Sequence, residues 1–302
     1  MSGVHSGPGV GDAAGGGAGG GPWPAEPELR LFLFHHAGGS SSVFEGWESR
    51  FPHGWDVRAP DAPGRGAARS ARPRTTVDGL ADYFRDQLSP YFDRPFAFFG
   101  HSMGAMVAYE LARRLQAEGD RQPDWVGLSA CRAPGQPAAR GQHELSNDDL
   151  RAWLAAAGGT DQLVLHHPLI WKMLEPLLRA DLRVVDSWWP AADAVPLGSA
   201  LSVFGAQDDR VLAREKLAGW QPFTEHYLGS RLFRGGHFYL QRQADLVMRW
   251  IVADISGSRR AGNSVDFTEF TDFTDFTGEN EVTRWHRESG MWSSTRTAST
   301  SQ

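Results

Sequence analysis

Cysteine is almost absent from this chain of 302 residues: Cys131 is the only one. A single thiol excludes an intrachain disulfide framework and a cysteine-rich zinc site. Long hydrophobic runs are missing as well, and nothing approaches the ~18 apolar residues that a membrane span needs. Basic charge is not in excess. The formal net charge is −6, which argues against general nucleic-acid binding. The first residues have neither the basic n-region nor the apolar h-region of a secretory signal. Together these absences lead us to expect a cytoplasmic protein that engages neither membrane nor nucleic acid. What is present, 41% hydrophobic and 22% charged residues, fits a globular chain.

Length alone would suggest ~2 domains, but both ends read unlike a core. Residues 1–27 carry runs such as Gly15-Gly16-Gly17 and Gly19-Gly20-Gly21, the composition of a flexible leader. Residues 257–302 are polar and contain a tandem repeat, Asp266-Phe267-Thr268, Glu269-Phe270-Thr271, Asp272-Phe273-Thr274, Asp275-Phe276-Thr277. A period of three matches neither strand nor helix, so this tail is expected to bury no consistent face and to be unstructured. Residues 28–256 remain, about 230 positions that one α/β domain can absorb.

Within that domain, short apolar runs alternate with amphipathic stretches. Leu31-Phe32-Leu33-Phe34, Phe96-Ala97-Phe98-Phe99, Trp125-Val126-Gly127-Leu128 and Leu201-Ser202-Val203-Phe204 read as buried strands, with a weaker one at Arg231-Leu232-Phe233-Arg234. Helical spacing follows at Met106, Val107, Tyr109, Leu111 and Leu115, and again over roughly residues 242–255. Continuous apolar strands separated by helices predict a mostly parallel sheet with helices on both faces. Reactive groups then collect in loops at the carboxyl ends of strands.

Gly100-His101-Ser102-Met103-Gly104 matches G-x-S-x-G. The pattern alone is weak, but a strand precedes it and a helix follows, as a nucleophile elbow requires. Gly100 and Gly104 suit a tight turn where a Cβ would collide with backbone. Ser102 is therefore the candidate nucleophile. It needs a base, and the chain order for this arrangement is Ser, Asp or Glu, then His. Of the histidines after Ser102, only His237 follows directly on a strand-like run, in Gly235-Gly236-His237-Phe238. The acid should end the preceding strand, where Asp208 and Asp209 both stand. Spacing does not choose between them; one would face the histidine while the other, as an N-cap, would cap a helix following near Val211.

The loop His36-Ala37-Gly38-Gly39-Ser40 follows the first strand. An oxyanion hole of this type takes the amide after the nucleophile, Met103, and one from an early strand–helix loop, for which Ala37 is the candidate. The His35-His36 pair has no Cys, Asp or Glu cluster to complete a metal site. Gly38-Gly39 lacks both the dinucleotide fingerprint and the Walker lysine. No cofactor and no metal are implied.

Several segments together resemble the type II (external) thioesterases of polyketide and non-ribosomal peptide biosynthesis, in the α/β-hydrolase superfamily, over about residues 29–255. The carriers are Phe34-His35-His36-Ala37-Gly38-Gly39-Ser40, Pro63-Gly64-Arg65, Phe99-Gly100-His101-Ser102-Met103-Gly104-Ala105, Leu178-Arg179-Ala180-Asp181 and Gly235-Gly236-His237-Phe238-Tyr239-Leu240. The resemblance implies an α/β-hydrolase fold with a helical lid over about residues 140–198, and its register selects Asp209 as the acid. It further implies hydrolysis of acyl thioesters from the phosphopantetheine arm of an acyl or peptidyl carrier protein. An esterase acting on oxygen esters is the alternative, since the same triad serves both leaving groups. Arg65, Arg69, Arg72 and Arg74 form a basic run that would suit an acidic carrier protein.

Overall fold

A computed structural model describes residues 26–136, 141–190, 194–261, 283–288 and 291–295. Residues 1–25 of the glycine-rich leader and the Asp/Glu-Phe-Thr repeat lie outside them. The chain runs β1 (Leu29–Phe34), β2 (Trp55–Arg58), α1 (Val77–Leu88), β3 (Phe96–His101), α2 (Met103–Glu118) and β4 (Trp125–Ser129). Three helices follow, α3 (Asn147–Ala157), α4 (Gln162–His166) and α5 (Pro168–Ser187). Next come β5 (Leu197–Ala206), β6 (Thr224–Phe233), α6 (Leu240–Ala261), β7 (Thr283–Glu288) and β8 (Met291–Thr295).

The sheet order is β2-β1-β3-β4-β5-β6-β7-β8. Pairings from β2 through β6 are all parallel. The mostly parallel sheet follows from the apolar content of its strands. In β1, Phe32 and Phe34 join one core cluster while Leu29, Leu31 and Leu33 join the other. In β3, Phe96 and Phe98 face the first cluster and Ala97 and Phe99 the second. Strands buried on both faces need an apolar residue at every position rather than at alternate ones. Helices α1 and α2 cover the first face through Val77, Leu80, Phe84, Leu111 and Leu115. Helix α6 covers the second through Val247, Met248, Ile251 and Ile255.

Each predicted strand is present: four are extended by one to several residues, while the fifth starts earlier, at Thr224, and ends at Phe233, leaving Arg234 outside. Within residues 28–256, β2 and α1 have no counterpart among the elements read from the sequence. Strand β2 has only four residues and carries a buried Asp56, 2% exposed, which accepts from Arg30 and Arg58. Helix α1 has a clear apolar spacing, and the Thr76 hydroxyl caps it by accepting from the Gly79 amide at 3.1 Å.

The tail expectation needs correction at two places. Helix α6 continues past residue 256 to Ala261, and β7 and β8 form an antiparallel hairpin on the outer edge of β6. The physical reason lies in β6: an edge strand offers unpaired amides and carbonyls, and Ser230–Leu232 pair with Thr283–Trp285. No described helix is long and apolar enough to cross a membrane.

The strand order reverses at β1, because the chain goes outward to β2 and then crosses back to β3 on the other side. Loops leaving the carboxyl ends of β1 and β3 diverge there, and ligands in open α/β sheets occupy that crevice. The helical insertion lies between β4 and β5, as expected, with a small core of its own: Leu150, Leu154, Leu165, Trp171, Leu178 and Leu182.

Burial separates these positions energetically. Leu111→Ala (0% exposed) should cost about 2–5 kcal/mol in denaturant unfolding. Leu163→Ala (75% exposed), by contrast, should stay within about 0.5 kcal/mol of the parent.

Candidate active site

Ser102 sits between the last residue of β3 and the first of α2 with φ 55° and ψ −114°. A side chain in that region of backbone space is strained and persists only where the surroundings enforce it. The enforcement is visible at the two flanking glycines. A Cβ on Gly100 would lie 2.1 Å from the Gly104 carbonyl oxygen, and one on Gly104 would lie 2.1 Å from that of Phe34. Both obstacles are backbone, so neither can swing aside. The Ser102 amide donates to the Ser129 carbonyl at 2.8 Å, fixing the turn against β4.

The two loops that carry the other candidates are joined by main-chain bonds. Past the ends of β5 and β6, Gln207 N–H donates to the Phe233 carbonyl at 2.9 Å and Asp208 N–H to the Gly235 carbonyl at 3.0 Å. These bonds bring Asp209 beside His237. His237 Nδ1 lies 2.8 Å from Asp209 Oδ2, and His237 Nε2 lies 3.1 Å from Ser102 Oγ. The serine O–H can therefore donate to Nε2 while Nδ1–H donates to the carboxylate. The side chains of His237 and Asp209 are 5% and 2% exposed. The second oxygen of Asp209 accepts from the amides of Val211 and Leu212 at 2.7 and 2.9 Å. The expected helix cap needs correction: no helix begins near Val211, and the next helical turn starts at Arg214. Asp209 meets the histidine with one oxygen and these two loop amides with the other, while Asp208 is exposed.

Three further histidines surround this line. His36 is pulled down to about 4 by burial. His101 lies well below the ordinary range, again through burial and then through neighbouring His237. His35 is lowered by burial and next by Arg65. Its Nδ1 lies 2.8 Å from the His36 carbonyl and its Nε2 accepts from the Ala62 amide at 3.1 Å, which fixes a neutral tautomer with the proton on Nδ1. All three are uncharged near neutrality, so none opposes formation of an imidazolium at His237. A chain of hydrogen bonds joins His101 Nδ1 to Ser129 Oγ (2.7 Å) and Ser129 Oγ to Tyr239 Oη (2.6 Å). The motif position before Ser102 is thereby tied to the loop bearing His237. This network cannot be seen in the sequence, because it joins residues from three separate strand ends.

Helix α2 begins at Met103, so its first amides have no partner within the helix. The loop after β1 approaches the same turn, since a Cβ on Gly104 would also lie 2.7 Å from the His35 carbonyl oxygen. In that loop the Gly38 amide donates to Asp181 at 2.7 Å and the Gly39 amide to the His36 carbonyl at 3.0 Å. Among the described residues the Ala37 amide has no acceptor.

A family model described as a thioesterase domain matches residues 29–255. This chain belongs to that thioesterase family. It is 35% identical over 239 residues to a protein of Streptomyces griseus named as a probable cadicidin biosynthesis thioesterase, covering 79% of this chain and 66% of that one. It is 31% identical over 214 residues to the gramicidin S biosynthesis protein GrsT of Aneurinibacillus migulanus, covering 70% and 83%. Among solved structures it is similar to the RedJ thioesterase of the prodiginine pathway in Streptomyces coelicolor. That match has a TM-score of 0.69 at 32% identity and covers 78% and 91% of the two chains. The fold of this thioesterase is that of the α/β-hydrolases.

The basic run expected to face an acidic partner needs correction at one position. Arg65 is 7% exposed and its guanidinium is directed inward onto Asp181, whereas Arg69, Arg72 and Arg74 are exposed.

Two tests follow from this geometry. Gly104→Ala should lose on the order of 3 kcal/mol or more of stability, read by chemical denaturation, because rigid backbone must move. Between pH 6.5 and about 4 the unfolded chain binds a proton at His36 that the folded chain does not. Stability should therefore fall as pH is lowered through that window, by up to about 1.4 kcal/mol per pH unit for that group. Melting curves across that range should show a shallower slope for His36→Gln.

Proposed function

We propose that this protein is a cytoplasmic serine hydrolase that cleaves acyl thioesters from the phosphopantetheine arm of carrier proteins. It would clear or release chains in polyketide or non-ribosomal peptide biosynthesis. The observation that carries this reading is the unbroken line Ser102 Oγ, His237, Asp209 at the strand ends of a chain in the thioesterase family. The relatives named for cadicidin and gramicidin S biosynthesis and the prodiginine-pathway structure support the substrate class.

In this mechanism Ser102 attacks the thioester carbonyl while Nε2 of His237 takes its proton. Asp209 holds the Nδ1 proton and stabilises the imidazolium. Its other oxygen stays bound to two amides, so the carboxylate has no rotation to lose at the moment of reaction. The amides of Met103 and Ala37 receive the oxyanion, each worth about 3 kcal/mol of barrier. The departing thiol resembles a cysteine thiol, with a pKa of ~8.5, and leaves with little help from an acid. Water, activated by the same imidazole, then frees the acyl group from Ser102. The lid covers the acyl chain, and the exposed Arg69, Arg72 and Arg74 offer positive charge to an acidic carrier.

Offering a panel of acyl-carrier proteins and acyl-pantetheine thioesters, with release followed by mass spectrometry, tests the reading. Ser102→Ala should lose about 10⁴-fold or more in kcat. Matched oxygen esters should be turned over more slowly than thioesters, and a preference for the oxygen ester would count against the proposed substrate. Charge reversal at Arg69, Arg72 and Arg74 should raise KM for acyl-carrier substrates and leave it unchanged for a small acyl thioester.

A further inference from the structure

The loop that follows β1 is held at its two ends by the body of the domain. Ala62 N–H donates to His35 Nε2 at 3.1 Å, and Ser41 N–H donates to Asp61 Oδ1 at 2.7 Å. Its middle is held differently. Asp181, in the interior of lid helix α5 and 1% exposed, accepts from the Gly38 amide through Oδ2 at 2.7 Å. The same carboxylate is gripped by Arg65, with Nη1 on Oδ2 at 2.5 Å and Nη2 on Oδ1 at 2.7 Å. Nη1 also donates to the Gly39 carbonyl at 3.1 Å. Among the described residues, no other side chain outside the loop bonds to its backbone between Ala37 and Ser40.

Packing repeats the pattern. Ala37 lies against the lid cluster as well as the main core. A Cβ on Gly38, whose φ is +73°, would come within 3.0 Å of Leu178 Cδ1 on α5. A buried ion pair adds little net stability over an apolar replacement of the same volume. A carboxylate that fixes the direction of a backbone amide run has a geometric use that such a replacement lacks.

We propose that Asp181 is a positioning residue: clamped by Arg65, it sets the Ala37–Gly39 backbone and thereby aims the second oxyanion amide from the lid. The inference rests on the reading of Ala37 as that donor. It makes the oxyanion site complete only when α5 is seated, because lifting the helix withdraws the acceptor from Gly38. The lid then decides when the site is competent, in addition to covering the acyl chain.

The test uses the full chain, a small acyl thioester, and a trifluoromethyl ketone whose hemiketal oxyanion occupies the same amides. Asp181→Leu should lower kcat on the order of 10²-fold, the effect of one lost donor, with KM unchanged. Affinity for the ketone should fall in parallel. Asp181→Asn, which keeps a carbonyl oxygen for the Gly38 amide, should retain most of kcat. If Asp181→Leu does not fold, the double variant Asp181→Leu/Arg65→Met takes its place, since it removes both buried charges together. A folded variant with parental kcat and ketone affinity overturns the proposal, and so does a raised KM with unchanged kcat. Ser102→Ala measured in parallel separates the two readings. An active Ser102→Ala would overturn the serine mechanism itself; an inactive one beside an unaffected Asp181→Leu would overturn the lid clamp alone.

Discussion

The tight contact between β1, β3 and the start of α2 is the constraint on which the rest of the site depends. Backbone atoms there approach so closely that Gly100 and Gly104 have no room for a methyl group. That approach forces Ser102 into a positive φ and lifts its hydroxyl out of the sheet. It also brings the chain after β1 close to the same turn, since a Cβ on Gly104 would meet the carbonyls of Phe34 and His35. Strain at one residue is maintained by two apolar core clusters that fix the strands around it.

Around the serine, electrostatics follow burial. Asp209 and His237 lie almost out of solvent, and the carboxylate remains satisfied because two amides and an imidazole use both its oxygens. Buried charge without such partners would be costly. The nearby His35, His36 and His101 are kept neutral by the same burial. A crowded group of imidazoles is thus compatible with positive charge on His237. Under the proposed mechanism, hydrogen bonds already formed among Ser102, His237 and Asp209 would need little rearrangement as charge develops.

The lid is bound to this machinery by more than apolar contact. Leu150, Leu165, Trp171 and Leu178 pack among themselves, whereas Leu163 and Leu169 remain exposed. Between the lid and the sheet, the Arg65–Asp181 pair reaches the loop that contains Ala37. An arginine that reads in sequence as one of four exposed cations therefore belongs to the interior.

Local chemistry alone determined a good deal. Apolar runs at every position marked strands buried on two faces, the glycines flanking Ser102 marked a turn without room for Cβ, and the glycines before His237 marked a tight loop after the last predicted strand. These are properties of a few consecutive residues, and neighbours along the chain suffice to express them. Tertiary structure decided what depends on residues far apart: that Asp209 both meets the imidazole and caps its own loop, that Arg65 turns inward to Asp181 116 positions away, and that β7 and β8 extend the edge of β6. Those outcomes turn on which strand ends become neighbours, and that is set by sheet order and burial, quantities no short stretch of sequence carries.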